Sequence, residues 1–348
     1  GAEDGARLDR DIAIRWPAAT DRVGATLDLA RPSREHAVSG SAFGLLTITP
    51  PASAAASECL PRDLIILLDT SGSMSGEPLK IAKDISCRII DSLGRKDTIE
   101  IVEFSNRPNR WKTTPQPVHP EIKSMASAWV NRLQAGGGTE MESGMLEALK
   151  PIHEGVQRQV ILITDGFVGF ESQVVRAVRE HAPQGCRMHT VGVGPASNRS
   201  ITAAVARAGR GGEFLVGLGE NTAEVSGRLI ARTKGLHLTD VQVSGSALVA
   251  LPFEGAPDLF AGSPSLIPVR LNPQGGELIV SGRAPSGAWT HRISVLSIAQ
   301  GAGSDALPRL FAREAIEELQ CMAAMGQHVD SRLQRLGLHY PISTPMTS

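Results

Sequence analysis

The sequence predicts an α/β protein: a doubly wound, mostly parallel sheet inserted into a β-sandwich formed by both flanking segments, plus a C-terminal helix. Three observations predict it. Leu64–Leu68 and Val160–Ile163 are continuous apolar runs of strand length, the mark of strands buried on both faces of a parallel sheet. Strand-like and helix-like segments alternate around and after them for about 170 residues. On either side the texture changes to short strands bounded by Pro, Gly and Ser.

Taken in order, Asp11–Trp16 and Phe43–Thr49 read as strands, and Pro50, Pro51 and the Ala/Ser run to Ser57 as a break. The Leu64 strand is followed by a helix with Ile81, Ala82, Ile85, Ile89 and Ile90 on one side. Ile99–Phe104 is the next strand, and 119–133 and 140–150 read as helices separated by Gly136-Gly137-Gly138. After the Val160 strand come strand 188–193 with helix 199–208, then strand 213–216 with helix 221–233. Beyond Gly235 the expected strands are Leu238–Val243, Leu266–Leu271, Glu277–Ser281 and Trp289–Leu296, followed by a helix over Leu307–Met325. The expected division is therefore a β-rich segment (1–58), an α/β domain (59–235), a second β-rich segment (236–300) and a C-terminal helix with its tail (301–348).

Composition narrows the function classes. The 348 residues hold 35 Lys plus Arg against 36 Asp plus Glu, for a net charge of −1. No basic excess or stripe serves a phosphate backbone, which argues against nucleic acid as a partner. With 41% hydrophobic and only 4% aromatic residues, the core must be aliphatic. No apolar run approaches the roughly 20 residues that span a bilayer. Cys59, Cys87, Cys186 and Cys321 are widely spaced with no C-x-x-C pair, against zinc or redox chemistry. Cys87 reads as a core residue of its helix, and a Cys59–Cys186 disulfide is an open alternative.

Three loops carry chemistry. The first buried strand ends in Asp69-Thr70-Ser71-Gly72-Ser73, the glycine run ends in Thr139, and the Val160 strand ends in Thr164-Asp165-Gly166. In an open parallel sheet ligands bind at the carboxyl ends of strands, where these loops meet if the two apolar strands are neighbours. Asp69, Ser71, Ser73, Thr139 and Asp165 offer two carboxylates and three hydroxyls, a hard all-oxygen set suited to Mg²⁺ or Mn²⁺, with Ca²⁺ a third candidate. Each loop alone also fits an ordinary turn or helix cap; three in this order do not. Gly72-Ser73-Met74-Ser75-Gly76 lacks the G-x-S-x-G spacing, no phosphate-binding loop is present, and His153-Glu154 lacks a second His.

Asp69-x-Ser71-x-Ser73, Thr139 and Asp165 resemble, in order and context, the metal-ion-dependent adhesion site of von Willebrand factor type A domains. Leu8–Trp16, Leu45–Pro50, Asp258–Gly262 and Leu336–Ser348 are similar to proteins that pair an N-terminal VIT domain with this domain, the inter-alpha-trypsin inhibitor heavy chains and their bacterial sortase-target relatives. The resemblance implies Ser71 and Ser73 as direct ligands, Asp69 and Asp165 bound directly or through water, and Thr139 entering or leaving the shell as affinity changes. It implies a non-enzymatic, secreted or surface-exposed binding protein whose ion accepts an Asp or Glu carboxylate from a partner protein. Rim residues Met74, Glu77, Asn106, Arg107, Glu140 and Phe167–Phe170 are expected to choose the partner, and a shift of helix 221–233 to tune the site. At most the last strand of a VIT domain is expected within 1–58, so the resemblance implies a piece of a longer protein. The alternative is an intracellular scaffold for a multisubunit complex, in which a metal only braces the loops.

Overall fold

The computed structural model describes residues 23–50, 61–150, 157–166, 171–183, 185–194, 198–234, 236–260, 264–284 and 287–347. The expected strand at Asp11–Trp16, the Ala/Ser break, Cys59 and Phe167–Phe170 lie outside them.

In chain order, β1 (Gly24–Ala30) and β2 (Ala42–Thr49) precede the central segment. That segment runs β3 (Arg62–Asp69), α1 (Glu77–Ser92), β4 (Thr98–Phe104), β5 (Pro108–Arg110), β6 (Gln116–Pro117), α2 (Pro120–Arg132) and α3 (Met141–Ala148). It continues with β7 (Gln157–Thr164), α4 (Glu171–His181), β8 (Arg187–Val193), α5 (Arg199–Ala208), β9 (Arg210–Val216) and α6 (Thr222–Thr233). The chain then forms β10 (Leu236–Ser244), β11 (Leu248–Ala250), β12 (Leu259–Phe260), β13 (Ser265–Leu271), β14 (Gly276–Ala284) and β15 (Gly287–Val295), and closes with α7 (Ala306–Ala324) and α8 (Asp330–His339).

The central sheet has the order β5-β4-β3-β7-β8-β9, with β6 also on β4. β3 pairs in parallel with β4 and with β7, and β7 with β8 and β8 with β9 in the same sense; only the short β5 and β6 run antiparallel. The two strands read as continuous apolar runs are thus neighbours, and β3 and β7 are buried along their whole length. Alternate side chains serve two layers, as the strand period of two requires. Leu64, Ile66 and Leu68 pack under α1, α2 and α6, against Ile85, Ile89, Ala126 and Leu229. Ile65 and Leu67 pack on the other side against Met145 of α3, Val175 of α4 and Val205 of α5.

Both flanks build the sandwich. One sheet has the order β1-β2-β13-β11, so a strand preceding the α/β segment pairs with one following it; the other is β12-β10-β14-β15. Ala42, Leu46 and Ile48 of β2 meet Leu238, Val280 and Leu278 in its interior. An inserted domain must start and finish at one place, and it does: Arg62 at the start of β3 donates to Thr233 Oγ1 at the end of α6, 3.1 Å away.

Three expectations change. α4 and α8 were not anticipated: α4 carries only Val174, Val175, Ala177 and Val178 as core residues, a short stripe of mostly β-branched side chains that favour strand as readily as helix. α6 packs on α1 and β9 and only touches β12. The helix that joins the two units is α7, whose Phe311 packs with Phe43 of β2 while Cys321 is buried among the α4 and α5 side chains. Arg207 of α5 donates to Glu314 and Glu317 of α7 at 2.8 and 2.6 Å. Cys87 is half-buried rather than a full core residue, and its sulfur receives the Asn131 amide at 3.7 Å.

Candidate metal centre

The carboxyl ends of β3 and β7 bring the first and third loops together. Asp69 is the last residue of β3 and fully buried; Asp165 directly follows β7 and is 4% exposed. Asp69 accepts from the Ser71 backbone N–H at 2.8 Å and from the Thr164 hydroxyl at 2.6 Å, and Thr164 in turn accepts from Gly166 N–H at 2.9 Å. After Asp69 the chain turns through Thr70 and Ser71 into a 3-10 turn, Gly72–Met74, that sets Ser71 Oγ and Ser73 Oγ 3.2 Å apart. Ser71 is buried and Ser73 exposed, so the pair forms a step from interior to solvent.

The second loop joins the first through backbone. Gly136 N–H donates to Thr70 O at 2.8 Å, and Gly72 N–H to Gly137 O at 3.1 Å. Thr139, half-buried, lies two residues beyond that contact. Asn198, at the start of α5, donates its N–H to Asp165 O at 3.1 Å and so ties the third loop to the next helix.

The electrostatics are unbalanced. Burial lifts the Asp69 carboxyl above its ordinary range; the bonds from Ser71 and Thr164 pull it down, and the charge of Asp165 pushes it up again. The hydrogen bonds that Asp69 accepts thus come from neutral groups. A buried carboxylate held above its ordinary range, with a second acid and a stepped pair of hydroxyls beside it, fits a small divalent cation, whose charge would offset the penalty on Asp69. Among the described residues no three His, Cys, Asp or Glu side chains cluster so as to hold a metal ion, so any ion here depends on hydroxyl donors in addition to the two acids. That composition suits Mg²⁺, Mn²⁺ or Ca²⁺ better than a metal that prefers nitrogen or sulfur.

Among the described residues the rim differs from expectation at one. Met74 is fully buried in the layer under α1 and cannot touch a partner, because the 3-10 turn points its side chain inward. Glu77, Asn106, Arg107 and Glu140 are exposed around the site. The hydroxyl of Thr70, overlooked in the sequence, donates to Glu103 at 2.6 Å and locks the first loop to the end of β4. No spacing pattern marks that pair, since the partners lie 33 residues apart.

Residues 62–213 match the von Willebrand factor type A domain family. Human inter-alpha-trypsin inhibitor heavy chain H4 is 24% identical over 343 residues, covering 83% of this chain and 34% of that protein. The bovine heavy chain H4 is 29% identical over 116 residues, 31% of this chain and 13% of that protein, so the chain spans about a third or less of the length of these relatives. A von Willebrand factor type A structure from Catenulispora acidiphila superposes with a TM-score of 0.60 at 14% identity, covering 94% of this chain and 89% of that one, a likeness of fold. The ArnB paralog VWA2 from Sulfolobus acidocaldarius, at TM-score 0.54 and 14% identity, covers 91% and 88%. Residues 62–213 therefore form a von Willebrand factor type A domain, in a chain homologous to inter-alpha-trypsin inhibitor heavy chain H4.

Proposed function

We propose that the chain is a non-enzymatic, metal-dependent protein-binding module, with Asp69, Ser71, Ser73, Thr139 and Asp165 holding a divalent cation at the carboxyl edge of the parallel sheet. The observation that carries this reading is the buried Asp69 beside Asp165, met by neutral donors in place of a basic side chain. When bound, Mg²⁺ or Mn²⁺ supplies an open coordination position for a carboxylate oxygen of the partner. Asp69 and Asp165 balance the charge, Ser71 and Ser73 give neutral oxygens at graded depth, and the exposed Glu77, Arg107 and Glu140 meet the partner's flanking residues. The partner is a protein presenting Asp or Glu, and the resemblance favours a location outside the cell or on its surface. Among the described residues no helix is long and apolar enough to cross a membrane.

Calorimetric titration of Mg²⁺ and Mn²⁺ into metal-stripped protein tests the site. The expected result is saturable binding in the parent and none in Asp165→Ala. Equal heats in both proteins would remove the ion from these loops. A partner complex that persists unchanged in EDTA would favour the scaffold alternative.

A further inference from the structure

Among the described residues, four hydrogen bonds hold the loop bearing Thr139 to its neighbours, and three are backbone to backbone: Gly136 N–H to Thr70 O, Gly72 N–H to Gly137 O, and Glu140 N–H to Ser105 O at 2.7 Å. The fourth is made by a side chain. Gly138 N–H donates to Asn106 Oδ1 at 2.6 Å. A backbone N–H can only donate, so the amide oxygen must face it, which fixes how the Asn106 side chain is turned.

Asn106 also packs against the glycine run. A Cβ on Gly137 would fall 2.7 Å from Asn106 Nδ2, and one on Gly138 would fall 3.1 Å from Oδ1. Gly137 has φ +85°, a conformation that side-chain-bearing residues rarely adopt. The two glycines thus admit the amide against bare backbone, and the amide compensates for their freedom.

Thr139 stands between the two residues so anchored, Gly138 by the Asn106 side chain and Glu140 by the Ser105 carbonyl. Both anchors belong to the segment after β4, whose root is itself tied down. Thr70 N–H donates to Phe104 O at 2.9 Å, and Glu103 accepts from Thr70 at 2.6 Å and from Asn109 at 3.1 Å. The first and second loops therefore share one anchor.

We infer that Asn106 is a positioning residue for the metal site: its amide oxygen orders the Gly138 amide and so presets Thr139 for the ion. This inference rests on the metal-site reading above. Groups that orient a ligand without touching the metal cost about 10- to 100-fold in affinity when removed.

The test is Mn²⁺ titration by calorimetry into the metal-stripped full chain, for the parent, Asn106→Ala, Thr139→Ala and the double variant. Asn106→Ala is expected to weaken binding by about tenfold. In the Thr139→Ala background the same change is expected to do nothing further, because the residue acts through Thr139. Asn106→Asp, which keeps an acceptor for Gly138 N–H, is expected to retain at least the parent affinity. Thermal unfolding of the metal-free proteins identifies a variant that fails to fold, and the Asn106→Asp arm then decides. Parent affinity in a folded Asn106→Ala, an equal loss in both backgrounds, or a loss in Asn106→Asp matching that in Asn106→Ala overturns the inference. A parent chain that binds no Mn²⁺ overturns the metal-site reading and this inference together.

Discussion

The two ends of the parallel sheet treat buried acid in opposite ways. At the amino ends of the strands buried carboxylates meet arginine. Asp97 pairs with Arg62 at 2.6 Å, and Asp63 with Arg158 at 2.6 Å. Glu100 is shared by Arg110 and by Arg158, the latter at 3.2 Å, and Asp258 pairs with Arg187. At the carboxyl ends Asp69 is met by a serine amide and a threonine hydroxyl, with a second carboxylate adding to its cost. Taking a charge out of water is expensive unless it is paired. At the amino end, which joins the sandwich through the Arg187–Asp258 pair, each of these acids meets a cation of the chain, although burial still lifts the Glu100 and Asp258 carboxyls. At the carboxyl end the donors to Asp69 are neutral, and under the proposed function a cation from solution would supply the missing positive charge.

The largest effect that could break the comparison is at the amino end. Arg158→Met leaves Asp63 and Glu100 buried without their shared partner, and a loss of about 3–5 kcal/mol in urea unfolding is expected, with or without metal. A loss under about 1 kcal/mol would mean that this end tolerates acid as the other does.

A second prediction concerns a buried imidazole near these pairs. His189 Nδ1 accepts Gly212 N–H at 3.1 Å, so its Nε2–H is the donor to Gln159 at 2.8 Å. Burial, with the charges of Arg232 and Arg187, lowers its pKa from 6.5 to about 3. The folded-state value lies below the unfolded one, so the unfolded chain takes up the proton first. Stability is then full above 6.5 and declines as pH falls from 6.5 toward about 3. His189→Asn should flatten that acid limb in urea melts at successive pH values; an unchanged slope would assign the limb to other groups.

The smallest effect has the opposite sign from the first. In EDTA, Asp165→Asn removes a charge that adds to the cost of the buried Asp69 carboxylate while keeping an acceptor oxygen, so its stability should equal the parent's or exceed it by about 1 kcal/mol. A loss above about 2 kcal/mol would show that Asp165 is balanced within the chain, as the amino-end acids are.

Much of this was legible in the sequence because it is local. β3 and β7 announced themselves as unbroken apolar runs, and the helix after β3 by the spacing of Ile81, Ile85 and Ile89. Four of the five candidate ligands, Asp69, Ser71, Ser73 and Asp165, follow from residue types at the ends of two apolar strands, and Thr139 from its place after the glycine run. Met74 was misread because the 3-10 turn, rather than its place in the motif, decides which way the side chain points. α4 was missed because its few core side chains leave little periodic signal.

By itself, the sequence determined which segments bury both faces, which bury one, and which oxygen donors sit at strand ends, since hydrophobic period and residue chemistry act over a few residues. Only the tertiary structure decided that β3 lies beside β7, which brings Asp69 under the influence of Asp165. It alone gave Arg158 to Asp63 across 95 residues and Asn106 to Gly138 across 32. Such pairings depend on strand order and loop crossing, and a charge or an amide in the chain carries no local mark of the distant partner that the fold will bring to it.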